Sequence, residues 1–520
     1  MNKSKNIFGI LLVLLLPLLG LSQKHDYSIK INSDKIVSTY DRSMLLGTNV
    51  GVFYEESYLL NFKMLEYLHQ LNPGIIRMPG GTWSNELYWN GNKVRLSEES
   101  YIEKNIWDST VKAGGNPIEV AFDTSRYENG QWNVDYSGYA PGFRISDDKH
   151  HLSDYHGFTD VLFLHKFIQA LGSETMVTVN LGTGTVEMAV EWVKWVKDRQ
   201  KYAREPFNVK YWEMGNELDG DWELGHFLPD GSKMTAQEYI RRYKLFSTAM
   251  KKADPTIKVG GSVASSMQLV FIEELIKDTS CPIDFISFHA YPSNDNDNDF
   301  VTMAAEAAKV NDAVQRIKNW LNQYRPDQKE DIEIAITEWN IKVKEDITTV
   351  NMLNALWSSV MIGEMAKAGV DIALQWDLFS TTPTGGHGLF NPKDPRMNPR
   401  SQYWAMYLWG KYMGNEMTDL AIDAPPYIKS YSTLENDTIA IMIINGSKQN
   451  DVSLSLNLPG VKHKLQAQEI TFSKNQYQLN KTTLIPAISR KPASKPVTIQ
   501  HKSDIDVPAG SIKIIRYHKN

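Results

Sequence analysis

Cysteine is nearly absent from this chain of 520 residues, and positive charge is not in excess. Cys281 is the only cysteine, which excludes an intrachain disulfide and means that the fold has to be stabilised by its apolar core. Lys and Arg number 55 against 61 Asp and Glu, so the formal net charge is −6. Proteins that bind nucleic acid carry a basic surface, so this balance argues against nucleic acid as a partner.

The sequence motifs that would indicate a metal or cofactor site are incomplete. Residues 295–299 carry three aspartates in a calcium-loop pattern, but Phe300 stands where such a loop needs glycine, and a solvated loop is the other interpretation. The Gly182-x-Gly184 turn lacks the third glycine of a dinucleotide site. No histidine pair has the spacing of zinc ligands. We therefore expect neither a cofactor nor a bound metal.

The first 22 residues have the pattern of a secretory signal peptide. Two lysines near the start are followed by the apolar run 7–21, and small residues lie near the end of that run. An uncleaved membrane anchor is the alternative interpretation. We expect a secreted or periplasmic protein that keeps no membrane span once the signal is removed.

A strand–helix alternation fills residues 43–411. Apolar, strand-like runs begin near residues 45, 74, 176, 208, 257, 284, 333 and 372, and helical patterns lie between them. Alternation of this kind predicts parallel pairing, and eight units predict an α/β fold, a closed (β/α)8 TIM barrel. Residues 119–151 interrupt the rhythm with an irregular, aromatic-rich insertion that could reshape a cleft.

The pattern changes after residue 411. Residues 412–520 contain short alternating runs separated by turn residues, which predicts an antiparallel β-sandwich domain. Residues 23–42 contain one weakly alternating strand. We expect this strand to join the sandwich, because no helix connects it to the barrel.

Two glutamates stand where buried strands end. Glu217 follows the run YWEMGN, and Glu338 follows the run EIAIT. Side chains at the carboxyl ends of barrel strands share one mouth, and cleavage of a glycosidic bond needs two carboxyl groups, an acid and a nucleophile or base. Asn216 could hold a sugar hydroxyl beside them, with a turn-forming asparagine as the alternative.

Four segments in order resemble the motifs of family 51 glycoside hydrolases, which are mostly α-L-arabinofuranosidases of the clan of retaining (β/α)8 enzymes. They are RMPGG at 77–81, MVTVNLGTGT at 176–185, GNELDGDW at 215–222 and ITEWN at 336–340. The resemblance implies a barrel with a C-terminal β-sandwich and a double-displacement mechanism. It makes Glu217 the general acid/base, Glu338 the nucleophile, and Arg77 a cation beneath the nucleophile.

Three further residues are candidates for the same site. Tyr291 could hydrogen-bond Glu338, and Trp376 could form the floor of the sugar site, although large aromatic side chains are often core residues. His289 could contact the sugar or a catalytic residue, and a structural histidine is the alternative.

Two departures from the family leave the sugar open. Thr82 stands where the arabinofuranosidases commonly carry an asparagine that touches the sugar, and residues 47–51 lack their first-strand glutamate. We therefore expect a carbohydrate substrate and an α-L-arabinofuranosidase-like hydrolase. The alternatives are an endo-acting glucanase or a uronic-acid-processing hydrolase of the same clan, and, in another class, a non-catalytic glycan-binding protein. The sequence predicts no oligomeric state.

Overall fold

The computed structural model describes residues 27–519, apart from 55, 86, 88, 90–126, 129–130, 133–160, 183, 203–206, 224, 229–231, 293–298, 342–346 and 381–384. The expected signal peptide, most of the insertion and two of the three aspartates of the calcium-like loop lie outside the described residues. Asp299, the third, caps a helix by accepting a hydrogen bond from the backbone of Thr302. No helix in the described part of the chain has both the length and the apolar character needed to cross a membrane.

The strands are, in chain order, β1 (Ser28–Thr39), β2 (Gly47–Asn49), β3 (Ile75–Met78), β4 (Tyr127–Glu128), β5 (Gln131–Trp132), β6 (Glu174–Val179), β7 (Val209–Met214), β8 (Lys258–Ala264), β9 (Phe285–Ala290), β10 (Glu333–Trp339), β11 (Ile372–Gln375), β12 (Glu416–Asp423), β13 (Ile428–Glu435), β14 (Thr438–Asn445), β15 (Val452–Asn457), β16 (Leu465–Phe472), β17 (Tyr477–Leu479), β18 (Pro486–Ser489), β19 (Ala493–Ile499), β20 (Lys502–Val507) and β21 (Ser511–His518).

The α-helices are α1 (Glu56–Leu59), α2 (Phe62–Leu71), α3 (Val161–Leu171), α4 (Val186–Tyr202), α5 (Ala236–Ala253), α6 (Ile272–Lys277), α7 (Phe300–Ala308), α8 (Val310–Tyr324), α9 (Met352–Ala368) and α10 (Ser401–Tyr412). Short 3-10 helices lie at Met44–Leu46, Gly81–Asn85 and Ile347–Thr349.

Eight parallel strands close into a barrel, which confirms the predicted fold class. The order around the barrel is β2, β3, β6, β7, β8, β9, β10 and β11, and β11 pairs again with β2. One layer of its interior is apolar and consists of Ile75, Met176, Tyr211, Phe285, Ala335, Ile372 and Leu374. Because side chains alternate along a strand, the residues two positions after Ile75 and Tyr211, Arg77 and Glu213, also point into the barrel, nearer its mouth.

The C-terminal region forms one nine-stranded sheet in the order β19-β16-β21-β14-β13-β12-β1-β15-β20. The N-terminal strand β1 lies within it, antiparallel to β12 and parallel to β15. Ile441 of β14 and Leu454 of β15 belong to one apolar core although three strands separate β14 from β15, so the sheet curls over that core and its two layers are continuous. The neighbouring Met442 faces the other way and packs into the core shared with the barrel.

Candidate active site

Glu338 reaches the barrel interior because strand β10 contains a β-bulge. Ile336 pairs with Phe288 of β9, but the next pair is Glu338 with His289, so Thr337 is an extra residue. Without the bulge, strand alternation would turn Glu338 toward the helices, as it does Ile336. The bulge brings Glu338 into register with the inward-facing His289.

Glu217 reaches the same mouth by a backbone turn. Strand β7 ends at Met214, and Glu217 has a positive φ of 46°. This left-handed conformation costs a non-glycine residue about 1–2 kcal/mol, so the surrounding contacts must hold it. The backbone N–H of Glu217 donates to Val263 at the end of β8, at 3.1 Å. The turn thus directs the carboxyl group to the barrel axis.

The two carboxyl groups lie on either side of His289. Nδ1 of His289 is 2.6 Å from Oε1 of Glu217 and 3.5 Å from Oε2 of Glu338. One oxygen from each glutamate and one nitrogen of His289 all lie within 4.8 Å of one another. A separation of about 5–5.5 Å is typical of retaining glycosidases, whereas inverting enzymes need about 6.5–9.5 Å to admit a water. The spacing fits the retaining arrangement.

Two donors hold the carboxylate of Glu338. Nη1 of Arg77 donates to Oε1 at 2.9 Å, and the hydroxyl of Tyr291 donates to Oε2 at 2.8 Å. Burial raises the pKa of Glu338 above its ordinary value, while His289, Arg77 and the Tyr291 hydrogen bond oppose that rise. Both contacts are those expected of Arg77 and Tyr291 from the sequence.

Arg77 is fully buried and also bridges other elements of the site. Its Nε donates to Oε2 of Glu213 at 2.6 Å, its Nη1 to Asn49 at 2.9 Å, and its Nη2 to Oδ1 of Asn216 at 2.8 Å. Burial disfavours the charged form of Glu213, but Arg77, His289 and Thr337 together outweigh it and hold the pKa of Glu213 below its usual range. Arg77 therefore carries the positive charge that balances two buried carboxylates.

Glu217 lies in a different environment. Its side chain is 15% exposed, against 7% for Glu338, and Nε1 of Trp222 donates to its Oε2 at 2.9 Å. Burial raises the pKa of Glu217 to about 7, the Trp222 hydrogen bond opposes the rise, and Asp219 adds to it. A carboxyl group with this pKa can hold a proton at neutral pH and also release it, as a general acid/base must.

Glu223 is a third carboxyl group near this site. It is fully buried, and a 2.8 Å hydrogen bond joins its Oε1 to the hydroxyl of Thr82. Asn216 and Asn85 donate to its two oxygens at 3.1 and 2.7 Å. Thr82 therefore contacts a protein carboxyl group, and the carboxamide of Asn216, expected to hold a sugar hydroxyl, is bonded at both ends by Arg77 and Glu223.

Trp376, the predicted floor of the sugar site, packs against the turn that follows β3. A side chain at Gly81 would come within 2.6 Å of its indole ring, so the glycine allows the ring to lie against the turn after β3. The next residue, Asp377, accepts a hydrogen bond of 2.5 Å from the hydroxyl of Tyr54. Burial raises the pKa of Asp377 to about 7, although the Tyr54 hydrogen bond opposes this.

Glu217, His289 and Glu338 are also the residues that could hold a metal ion, since their ligand atoms converge. Their existing partners fit a cation poorly. Oε1 of Glu338 already accepts from a guanidinium, whose positive charge would repel a metal. Each remaining oxygen of the pair has a hydrogen-bond donor or His289 beside it. The donor set suits acid–base chemistry better than metal binding.

Solved structures share this architecture over almost the whole chain. The α-L-arabinofuranosidase from Thermotoga maritima, in an arabinose complex, matches 95% of this chain and 100% of its own with a TM-score of 0.68 at 17% identity. A family 44 xyloglucanase from Paenibacillus polymyxa matches 95% of this chain and 99% of its own with a TM-score of 0.61 at 15% identity. At these identities the likeness establishes the fold.

Sequence comparison shows that the chain is also similar in sequence to glycoside hydrolases. The model of "Glycosyl hydrolases family 39" matches residues 204–351, which include both glutamates. A probable α-L-arabinofuranosidase C from Aspergillus fumigatus is 27% identical over 284 residues, which are 48% of this chain and 53% of that protein. The chain is a relative of the clan A (β/α)8 glycoside hydrolases. It spans about half the length of the curated glycoside hydrolases that it matches.

Sequence reasoning missed several groups of this candidate site. Strand alternation from Tyr211 could have placed Glu213 inside the barrel opposite Arg77. Trp222 lies within the GNELDGDW segment and could have been considered with it. Glu223 lies in an irregular turn, where no periodicity separates a buried carboxyl group from a solvated one.

Proposed function

We propose that this protein is a retaining glycoside hydrolase with Glu338 as nucleophile and Glu217 as general acid/base. The observation that carries the proposal is the convergence of the two carboxyl groups, which bring one oxygen each to within 4.8 Å of the other. Glu338 attacks the anomeric carbon while Glu217 gives its proton to the departing glycosidic oxygen, which leaves a glycosyl ester on Glu338. Glu217 then takes a proton from water, and the resulting hydroxide cleaves that ester and frees Glu338.

The two roles are assigned by environment. Arg77 and Tyr291 both donate to Glu338, which favours its anion, the form that a nucleophile needs. The neutral indole of Trp222 donates to Glu217, and a pKa of about 7 lets Glu217 carry a proton in the first step and lose it before the second. The greater exposure of Glu217 also suits a group that meets the leaving group and then water.

An α-L-arabinofuranoside is the proposed substrate, because the curated relative from Aspergillus fumigatus is a probable α-L-arabinofuranosidase. Endo-acting glucan hydrolysis is the second candidate, since Thr82 replaces the expected asparagine and contacts Glu223 instead. A uronic-acid substrate is less well supported. It would need a cation for the sugar carboxylate, and the buried guanidinium of Arg77 is engaged by Glu213 and Glu338. The signal-like start supports a secreted or periplasmic location as part of the proposal.

The substrate is tested with a panel of aryl glycosides that includes α-L-arabinofuranoside, β-xyloside, β-glucoside and β-glucuronide. We expect Glu338→Ala to abolish turnover of the substrate that is cleaved. We expect Glu217→Ala to lose most activity and to regain it with external azide, which can attack the glycosyl ester without a general base. Glu330→Gln changes a glutamate whose side chain is 88% exposed and serves as the matched control. Full activity of Glu338→Ala would contradict the proposal.

A further inference from the structure

Glu223 has no role in the two-step mechanism, yet it lies fully buried beside the reacting pair. Its side chain contacts Thr82, Asn85 and Asn216 at 2.7–3.1 Å. All three partners are neutral. Two properties of this buried carboxyl group need an explanation: which groups it holds in place, and whether it is protonated.

Asn216 links Glu223 to the nucleophile. Its Nδ2 donates to Glu223, and its Oδ1 accepts from Nη2 of Arg77 at 2.8 Å. Nη1 of the same guanidinium donates to Glu338. A continuous chain of hydrogen bonds therefore runs from Glu223 through a carboxamide and a guanidinium to the group that attacks the sugar.

Asn85 secures the same region from the backbone. Its Nδ2 donates both to Glu223 and to the carbonyl oxygen of Asn216, at 2.7 Å each, while its Oδ1 accepts from the backbone N–H of Asn216 at 3.2 Å. Asn216 directly precedes Glu217, whose backbone has a positive φ. The cluster around Glu223 thus fixes the backbone just before the general acid/base as well.

The charge of Glu223 follows from its surroundings. The titratable group that acts on its charge is Glu217 on the same loop. Arg77 on β3 lies two hydrogen bonds away, beyond Asn216. Arg77 is held by both carboxylates of its ion pairs. Within the described part of the chain, Glu223 makes no ion pair.

A buried carboxylate without a cation costs several kcal/mol, so the group takes up a proton instead. Burial raises the pKa of Glu223 to about 8, the neighbouring Glu217 adds to the rise, and the hydrogen bonds from Thr82, Asn85 and Asn216 oppose it without cancelling it. Thr82, Asn85 and Asn216 all donate to Glu223, and a protonated carboxyl group keeps enough lone pairs to accept all three hydrogen bonds.

We propose that Glu223 is a positioning residue that works as a neutral carboxylic acid, holding Asn216, and through it Arg77, in place beside Glu338 without adding negative charge next to Glu217. The kinetic consequences of this inference rest on the proposed glycosidase function. Its statement about protonation stands independently of that function.

The positioning role is tested with Glu223→Gln and Glu223→Ala. Glutamine keeps the size and one acceptor oxygen, so we expect kcat within about fivefold of the wild-type value. Alanine releases Asn216, and we expect kcat to fall about 10–100-fold with KM changed less than threefold, since small displacements of reacting groups have effects of this size. A wild-type kcat for Glu223→Ala would overturn the positioning role.

The charge state is tested by the pH profile of kcat/KM. If Glu223 is neutral, Glu223→Gln removes no charge and the basic limb set by Glu217 stays where it is. If Glu223 were a carboxylate, its removal would lower the pKa of Glu217 by about one unit or more and move the basic limb to lower pH. That shift would overturn the proposal.

A spectroscopic measurement needs neither a substrate nor the alanine variant. The infrared difference spectrum between wild type and Glu223→Gln at pH 6 should contain the C=O stretch of a protonated carboxylic acid, and Glu330→Gln should give only carboxylate bands. Carboxylate bands alone for Glu223→Gln would overturn the proposal. If no glycoside is cleaved, the proposed function fails, while this spectrum still decides the protonation of Glu223.

Discussion

Arg77 is the residue whose replacement should affect stability and activity together. Its Nε lies 2.6 Å from Glu213 and its Nη1 lies 2.9 Å from Glu338, and the guanidinium is fully buried. At an effective dielectric constant of 20, each pair attracts by about 6 kcal/mol before the cost of desolvation is subtracted. Breaking buried pairs by removing one partner typically costs about 3–5 kcal/mol.

We therefore expect Arg77→Met to lose about 3–5 kcal/mol in free energy of unfolding at pH 7. The loss should be smaller at pH 5, because Glu213 and Glu338 can then take up protons. In the wild type Arg77 lowers the pKa of Glu213, so the stability that this ionisation contributes is present above the ordinary carboxyl pKa and is lost as the pH falls. In the variant the same burial disfavours the anion, so the gap between the two proteins widens as the pH rises.

Urea unfolding of Arg77→Met at pH 5 and pH 7 measures the effect, and Arg199→Met, at an exposed position on α4, is the control. The double variant Arg77→Met/Glu213→Gln removes one of the stranded carboxylates and should regain part of the stability. Its kcat/KM should stay about 10²–10³-fold below wild type, because Glu338 still lacks the guanidinium of Arg77. Equal stability of Arg77→Met and wild type at pH 7, or no gain in the double variant, would refute the reasoning.

Three further outcomes are expected of the wild-type protein and one variant. The pH profile of kcat/KM should fall on its basic side with an apparent pKa near 7, because Glu217 must be protonated to act as an acid. Steady-state rates between pH 4 and pH 9 measure this profile. A flat profile up to pH 9 would contradict the prediction. Tyr291→Phe should lower kcat about 10–100-fold and the free energy of unfolding by about 1.5–3 kcal/mol, since it removes one hydrogen bond to a buried charged group. A wild-type kcat would count against that bond. The midpoint of thermal unfolding should decrease from pH 5.5 to pH 8.5, because Glu217, Glu223 and Asp377 have raised pKa values in the folded protein. The stability that their protonated forms contribute is lost as the pH rises through 7 and 8. A midpoint that increases over this range would refute the prediction.

The barrel was predictable because its strands are buried on both faces and read as continuous apolar runs. Residues 209–214 and 333–339 form such runs, and the polar residues that follow them mark the mouth. Helix α10 was not anticipated. Every residue from Ser401 to Trp409 is buried, so the helix has no polar face to produce a 3.6-residue pattern.

Details of the site depend on features that a sequence does not show. The bulge at Thr337 reverses the direction of Glu338, and strand alternation alone would have turned this residue outward. Glutamate is usually a surface residue. The burial of Glu213 and Glu223 is explained only by their tertiary contacts with Arg77 and Asn216. The contact of Thr82 was also not predictable from the sequence, because its partner Glu223 lies 141 positions away in the chain.

The stereochemical course of hydrolysis tests the central claim most directly. Proton NMR of the first sugar released from whichever aryl glycoside is cleaved reports the configuration at the anomeric carbon before mutarotation. One oxygen from each carboxyl group lies within 4.8 Å of the other, which fits the shorter separation of retaining enzymes, so we predict retention. An initial product of inverted configuration would contradict the double displacement through Glu338.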